Sequence, residues 1–242
     1  MQKRELMRLT VATLVGLAVL IGLGVWQLQR LEWKEGVIAR IEARTARVPL
    51  TLERATEVAN ERDNPSYFPV RVTGSFHHAR ERYLYAFSLE GQPGWHVITP
   101  LETVDGNMVL VDRGFVPDSL RDSSARALGQ IEDVVTVTGF MRSPGEANIF
   151  TPENDPQANQ WFSRDLPAMA ASMFPGGTVQ VSPFFLEANA SEVPGGWPQG
   201  GQTRLELANK HLQYALIWFA LALCLAVIYG VYIWGAYRRP QS

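Results

Sequence analysis

The sequence predicts an α+β membrane protein, with an N-terminal and a C-terminal transmembrane helix flanking a mainly antiparallel β domain that carries a few short helices. Three observations predict it. The run LTVATLVGLAVLIGLGVWQL (9–28) is 20 residues without a charge. A second uncharged run extends from Leu212 to Trp234. Between them the chain turns to short β-branched and aromatic runs punctuated by Gly and Pro. A helix rising about 1.5 Å per residue covers a hydrocarbon core of roughly 30 Å with either run.

The first run is longer than a signal-peptide core, and no small-x-small cleavage site follows it, so it reads as an uncleaved anchor. Its flank (1–8) holds Lys3, Arg4 and Arg8 against Glu5, a net of +2. The tail after Trp234 carries Arg238 and Arg239, again +2. Residues 30–210 hold 17 basic and 23 acidic side chains, a net of −6. Basic flanks stay on the cytoplasmic side. The expected layout is a cytoplasmic tail (1–8), helix (9–28), periplasmic domain (29–210), helix (211–234) and cytoplasmic tail (235–242). Eight residues leave no room for a mitochondrial presequence, which points to a bacterial plasma (inner) membrane.

After the first span, RLEWKEGVIARIEART (30–45) keeps helical spacing, with Leu31, Glu35, Ile38 and Ile41 close to one face, and Pro49 ends the helix or follows its end. Strands are expected at 67–76, 82–89, 95–103, 107–116, 134–142 and 178–187, with a hairpin turn at VDGN (104–107). Short helices are expected at 118–128 and 164–174, the second capped by Ser163. EVPGGWPQGGQ (192–202) reads as a flexible loop. The pattern fits a compact antiparallel sheet or barrel.

Several function classes are excluded or lack support. No Lys/Arg cluster marks a nucleic-acid partner. The single cysteine, Cys224, lies inside the second span, so the domain has no disulfide, Cys-x-x-Cys or thiolate copper site. No P-loop, Gly-x-Ser-x-Gly or His-x-x-Glu-His pattern occurs, and no enzyme is predicted. His77 and His78 are adjacent and point apart on a strand, and with His96 they read as exposed or core-satisfied residues. Arg113 beside Asp112 reads as a structural ion pair, and Gly114 as a bulge or close backbone approach.

His211 stands at the threshold of the second span. At 100° per residue His211, Ala215, Trp218, Ala222 and Ala226 share one face, with Tyr214 on its flank. Small residues let a helix or flat ligand approach closely. On the first span Trp26, Arg30 and Trp33 form a comparable stripe, and antiparallel spans bring Arg30 and His211 to the same surface. An imidazole, an apolar wall and a guanidinium are what a haem needs. The same residue types are also ordinary at membrane boundaries. Both readings stand on these residues alone.

Ordered blocks along nearly the whole chain carry a resemblance. LGVWQLQRLEWK (23–34), GWHVITPL (94–101), VLVDRGFVP (109–117), VTGFMR (137–142), WFSRDL (161–166) and NKHLQYALIWFALA (209–222) resemble signatures of the Surfeit locus protein 1 family, assembly factors of haem-copper terminal oxidases. Lys210 and Ile217 depart from the last signature; His211 does not. The resemblance implies delivery or insertion of haem a into the catalytic subunit of an aa3-type cytochrome c oxidase. His211 would be the axial iron ligand, the haem being held transiently. On helix geometry, rather than on the resemblance, Arg30 would pair with a propionate, and Trp26, Tyr214 and Trp218 would flank the ring. The partners implied are the catalytic subunit, the haem a synthase and membrane lipid. The alternative is a cofactor-free scaffold that steadies the catalytic subunit, with His211 as a polar interface residue.

Overall fold

The computed structural model describes residues 3–145, 148–177, 179–205 and 207–238. In chain order its elements are α1 (Lys3–Thr45), α2 (Leu52–Glu61), β1 (Pro69–Phe76), β2 (Arg82–Phe87), β3 (Pro93–Thr103), β4 (Met108–Val116), β5 (Val135–Arg142), β6 (Gln160–Trp161), α3 (Leu166–Met173), β7 (Val181–Ala188) and α4 (His211–Arg238). The chain divides into two compact units, Met1–Arg40 with Glu206–Ser242, and Ile41–Leu205. Arg239 and Thr178, which belong to the expected tail and strand, lie outside the described residues.

The first unit is a pair of helices, each long and apolar enough to cross a membrane. The expected span and the helix expected after it are one continuous α1, since no Gly or Pro interrupts Trp26–Trp33. Most apolar side chains on both helices, such as Leu14, Val15, Leu216 and Val227, are exposed. Burial is confined to a narrow seam that includes Thr13, Ala215 and Ala222. This is the pattern of helices whose outward faces are solvated by lipid rather than water.

In the second unit all six expected strands form, joined by β6, in a seven-stranded sheet of order β1-β5-β7-β4-β3-β2-β6. Pairing of β1 with β3 closes the ring β1-β5-β7-β4-β3. β1 and β2 lie along the same side of β3, β1 opposite 101–103 and β2 opposite 93–98. They act as one long strand interrupted by a single 3-10 turn, His78–Arg80. All pairings are antiparallel except β4–β7 and β2–β6. The result is a closed barrel of five strands with β2 and β6 added at one end of the order.

Alternation explains the core. Val109 and Val111 of β4 point with Phe184 and Leu186 into one apolar cluster, closed by Ala55 and Val58 of α2. Met108, Leu110 and Phe185 point the other way, against Trp161 and against Met169 and Met173 of α3. Both faces of β4 are thus covered, which is why NMVLV shows no alternation in the sequence. Each fully buried Val, Leu or Phe contributes roughly 1.5–3 kcal/mol.

Four local expectations are corrected. The helix expected over 118–128 is two short 3-10 pieces, Asp118–Leu120 and Ser123–Gly129, divided where Asp122 turns extended (ψ 129°) to cap the second, which is itself kinked at Arg126 (φ −134°). Asp165, not Ser163, caps α3: its Oδ1 accepts from Ala168 N at 3.0 Å, while the Ser163 hydroxyl binds Asn154. The segment 192–202 is tied down, since Gln199 and Phe115 exchange both main-chain hydrogen bonds at 2.9 Å. Helix α2 was not expected; Thr51 caps it, and Leu52, Ala55 and Val58 give it an apolar face.

Candidate functional site

The two spanning helices run antiparallel along a seam that four contacts define. Thr10 Oγ1 lies 2.5 Å from Tyr229 Oη. Gly16 faces Leu225, and Gly24 faces Phe219 so closely that a Cβ would sit 2.5 Å from the ring. At the far end His211 Nδ1 lies 2.7 Å from Gln27 Oε1. This register puts Ala215 and Ala222 against α1, as small residues on a helix interface allow. Ala226 is exposed, and Leu225 and Tyr229 take its place in the seam.

His211 opens α4, and its main-chain N–H donates to Asn209 Oδ1 at 3.4 Å. Its ring is only partly buried. Nδ1 is engaged by Gln27, whereas Nε2 has no hydrogen-bond partner among the described residues. The residue meeting His211 across the seam is therefore Gln27, not Arg30. The Arg30 guanidinium stacks on Trp33, 4.5 Å from the ring centroid. Trp26 and Tyr214 are each 50% exposed, and Trp218 is partly buried. Among these residues the structure places only His211 in direct contact with the opposite helix through a hydrogen bond.

The residue types suited to a haem iron are an imidazole with one nitrogen anchored and the other free and exposed aromatic rings, while the Arg30 guanidinium lies within α1 against Trp33. Close approach of a flat ligand between the helices is blocked beside Gly24, where Phe219 fills the space. Any flat ligand must meet His211 from outside the seam.

The barrel domain holds two buried ionic networks. In the first, Glu81 receives Arg126 Nη2 at 2.5 Å and Arg113 Nη1 at 3.2 Å, with Thr99 and Gln130 nearby. Arg113 stacks on Phe76 and donates to Gly129 O at 2.5 Å. His78 lies 3.5 Å from Glu81 and 2.8 Å from Ile131 O. Burial pushes the Glu81 carboxyl up, but hydrogen bonds from His78 and Arg126 and the two guanidinium charges outweigh it, holding the pKa to about 2. Burial takes Arg113 down to about 10 despite Glu81.

In the second, Asp112 is fully buried and is the register partner of Glu187 across the parallel pair. His96 Nδ1 approaches both Asp112 oxygens, at 2.8 and 2.9 Å. Gly114 N–H and Arg164 Nη2 donate to the same carboxylate, each at 3.1 Å. Arg142 Nε lies 3.1 Å from Glu187 Oε2. Burial raises the Asp112 pKa, yet His96 and then Arg164 bring it to about 2. Burial lowers that of His96, and the charge and hydrogen bond of Asp112 more than reverse this, so it is raised. These groups pair among themselves and act as structural ties; no group of three His, Cys, Asp or Glu suited to a metal occurs among the described residues.

The central histidines are thus satisfied within the domain, His77 by Glu102 at 2.8 Å. Arg113 is buried in an ion pair as expected, although its partner is Glu81 rather than Asp112. Sequence reasoning missed Gln27, Glu81, Arg126 and Arg164. Gln27 carried one signal: it is the amide in an otherwise apolar stretch close to the end of a span. The others carried none, since surface and buried charges read alike in a sequence.

The SURF1 family profile matches residues 14–223. Surfeit locus protein 1 of Homo sapiens is 39% identical over 218 residues, 83% of this chain and 69% of that protein. A SURF1-like protein of Monosiga brevicollis is 34% identical, covering 84% of this chain and 79% of its own length. A SURF1-like protein of Rickettsia felis is 28% identical over 231 residues, covering 93% and 97% respectively.

Proposed function

Because this chain belongs to the SURF1 family, we propose that it is a membrane-anchored assembly factor for a haem-copper cytochrome c oxidase, and that it holds haem a transiently through His211. The observation that carries the haem reading is the free Nε2 of an imidazole whose other nitrogen is anchored across the seam. Haem a bound there would be cargo, an iron and apolar macrocycle destined for the oxidase catalytic subunit. His211 would supply the axial nitrogen. Arg30 would meet a propionate, and Trp26, Tyr214 and Trp218 would give apolar contacts on the outside of the helix pair. The haem a synthase is the proposed donor. The positive flanks of the two helices support an orientation with both termini in the cytoplasm and the barrel domain in the periplasm, in a bacterial inner membrane.

The test is a visible spectrum of protein purified from cells that make haem a. The wild type is expected to carry the haem a signal, and His211→Ala to lose it while keeping its fold. An unchanged signal in His211→Ala removes the ligand role.

The seam blocked beside Gly24 favours one second reading, a cofactor-free scaffold that steadies the catalytic subunit. Haem-free wild-type protein that still co-purifies with the immature subunit and supports oxidase assembly would decide for it.

A further inference from the structure

We propose that Gln27 is the positioning residue of this site: its side-chain carbonyl takes the proton-bearing Nδ1 of His211 and thereby presents the Nε2 lone pair to an iron. The inference rests on the haem reading above and deepens it.

A neutral imidazole has one N–H and one lone pair, and the hydrogen bond made by one nitrogen decides the role of the other. Oε1 of Gln27 is an acceptor only. At 2.7 Å it selects the tautomer with the proton on Nδ1. The remaining nitrogen, Nε2, has no partner among the described residues and carries the lone pair. Metal-bound histidines are oriented in this way by an acceptor on the opposite nitrogen, and its loss typically lowers affinity or activity about 10–100-fold.

The arrangement is built into the seam. Gln27 is partly buried, one turn along α1 from Gly24, which itself is packed beneath the Phe219 ring. His211 is held at the other side by the first turn of α4 and by Asn209. The contact therefore depends on the helix register and not on a flexible surface side chain. In a low-dielectric setting an uncharged amide is also a less costly acceptor than a carboxylate, which would have to be desolvated.

The test uses full-length protein in lipid nanodiscs with 15N-labelled histidine, the His211 signals being assigned by their loss in His211→Ala. Without haem, wild-type His211 is expected to show a protonated Nδ1 and an unprotonated Nε2. Gln27→Leu is expected to lose that preference, and Gln27→Glu to keep it. With haem a, Gln27→Leu is expected to bind about 10–100-fold more weakly. Gln27→Glu is expected to retain binding with a lower reduction potential, because a stronger acceptor makes the imidazole more electron-rich. Matching thermal unfolding curves for all three proteins show that folding is intact, and the glutamate variant keeps the test valid if the leucine variant unfolds. A proton on Nε2 in the wild type overturns the proposal. So does unchanged haem affinity in Gln27→Leu while the wild type binds haem, which leaves the haem reading in place. A wild type that binds no haem a overturns both.

Discussion

Glu81 and Arg126, 45 residues apart in sequence, meet at 2.5 Å inside the barrel domain, where the carboxylate also receives Arg113 at 3.2 Å. One anion from the turn after β1 thus joins two buried cations, one from β4 and one from the 3-10 segment that follows it.

Removing one member of a buried ion pair leaves the other uncompensated, which costs about 3–5 kcal/mol. Glu81→Gln is therefore expected to lower domain stability by about that amount, measured by denaturant unfolding. Arg126→Ala should fall in the same range, and the double variant should cost less than the two singles added. Additive effects would show that the pair is not coupled.

The acid limb of the stability profile follows from the same carboxylates. Glu81 and Asp112 have folded pKa values of about 2, below the ordinary carboxylate range near 4. Their stabilisation is fully present above the unfolded value and is lost as pH falls towards 2. His96 is shifted the opposite way. Its contribution is present below its ordinary value of about 6.5 and is lost as pH rises through its raised folded value. Thermal melts across pH should therefore fall on both sides. Asp112→Asn should flatten both limbs, by removing its own titration and the partner that raises His96.

Gly114 has φ +118°, and a Cβ there would lie 1.9 Å from Gln199 O. Gly114→Ala must break the strand-like exchange between Phe115 and Gln199 or shift β4. Loss of folded protein, or a stability drop of at least about 1–3 kcal/mol, is the expected outcome in expression and unfolding assays. A wild-type melting curve would refute the close approach.

Gly24→Leu should force the spanning helices apart at Phe219 and so lengthen the Gln27–His211 contact. Proximity labels on α1 and α4 in nanodiscs are expected to separate. The barrel domain, a separate compact unit, should unfold at its usual temperature. A simultaneous drop in domain stability would contradict that independence.

His96→Ala and His211→Ala should separate structure from site. The first removes the partner of fully buried Asp112 and is expected to destabilise the domain. The second alters a partly exposed ring and is expected to leave domain stability within about 0.5 kcal/mol. The reverse pattern in thermal unfolding would exchange the roles assigned to the two histidines.

Legibility differed sharply between the two units. Uncharged runs reveal a spanning helix whatever surrounds it, because lipid solvates each helix separately. The β-branched runs likewise revealed all six longer strands, whose period is local. Closure of the barrel was not legible: the bond between β1 and β3 depends on one interrupted strand serving two stretches of its neighbour. The kink at Arg126 within the helix expected at 118–128 was also hidden, since that side chain reaches Glu81 far away in sequence.

At the membrane helices, the sequence alone determined the two apolar segments, the family and the prominence of His211. Helical periodicity even put His211 on the face with Ala215 and Ala222. Only the tertiary structure decided that Gln27, rather than Arg30, meets it. The physical reason is register. A helix's own periodicity specifies which side chains share a face, but the level at which two helices meet is set by steric fits such as Gly24 beneath Phe219. Those fits belong to neither segment by itself.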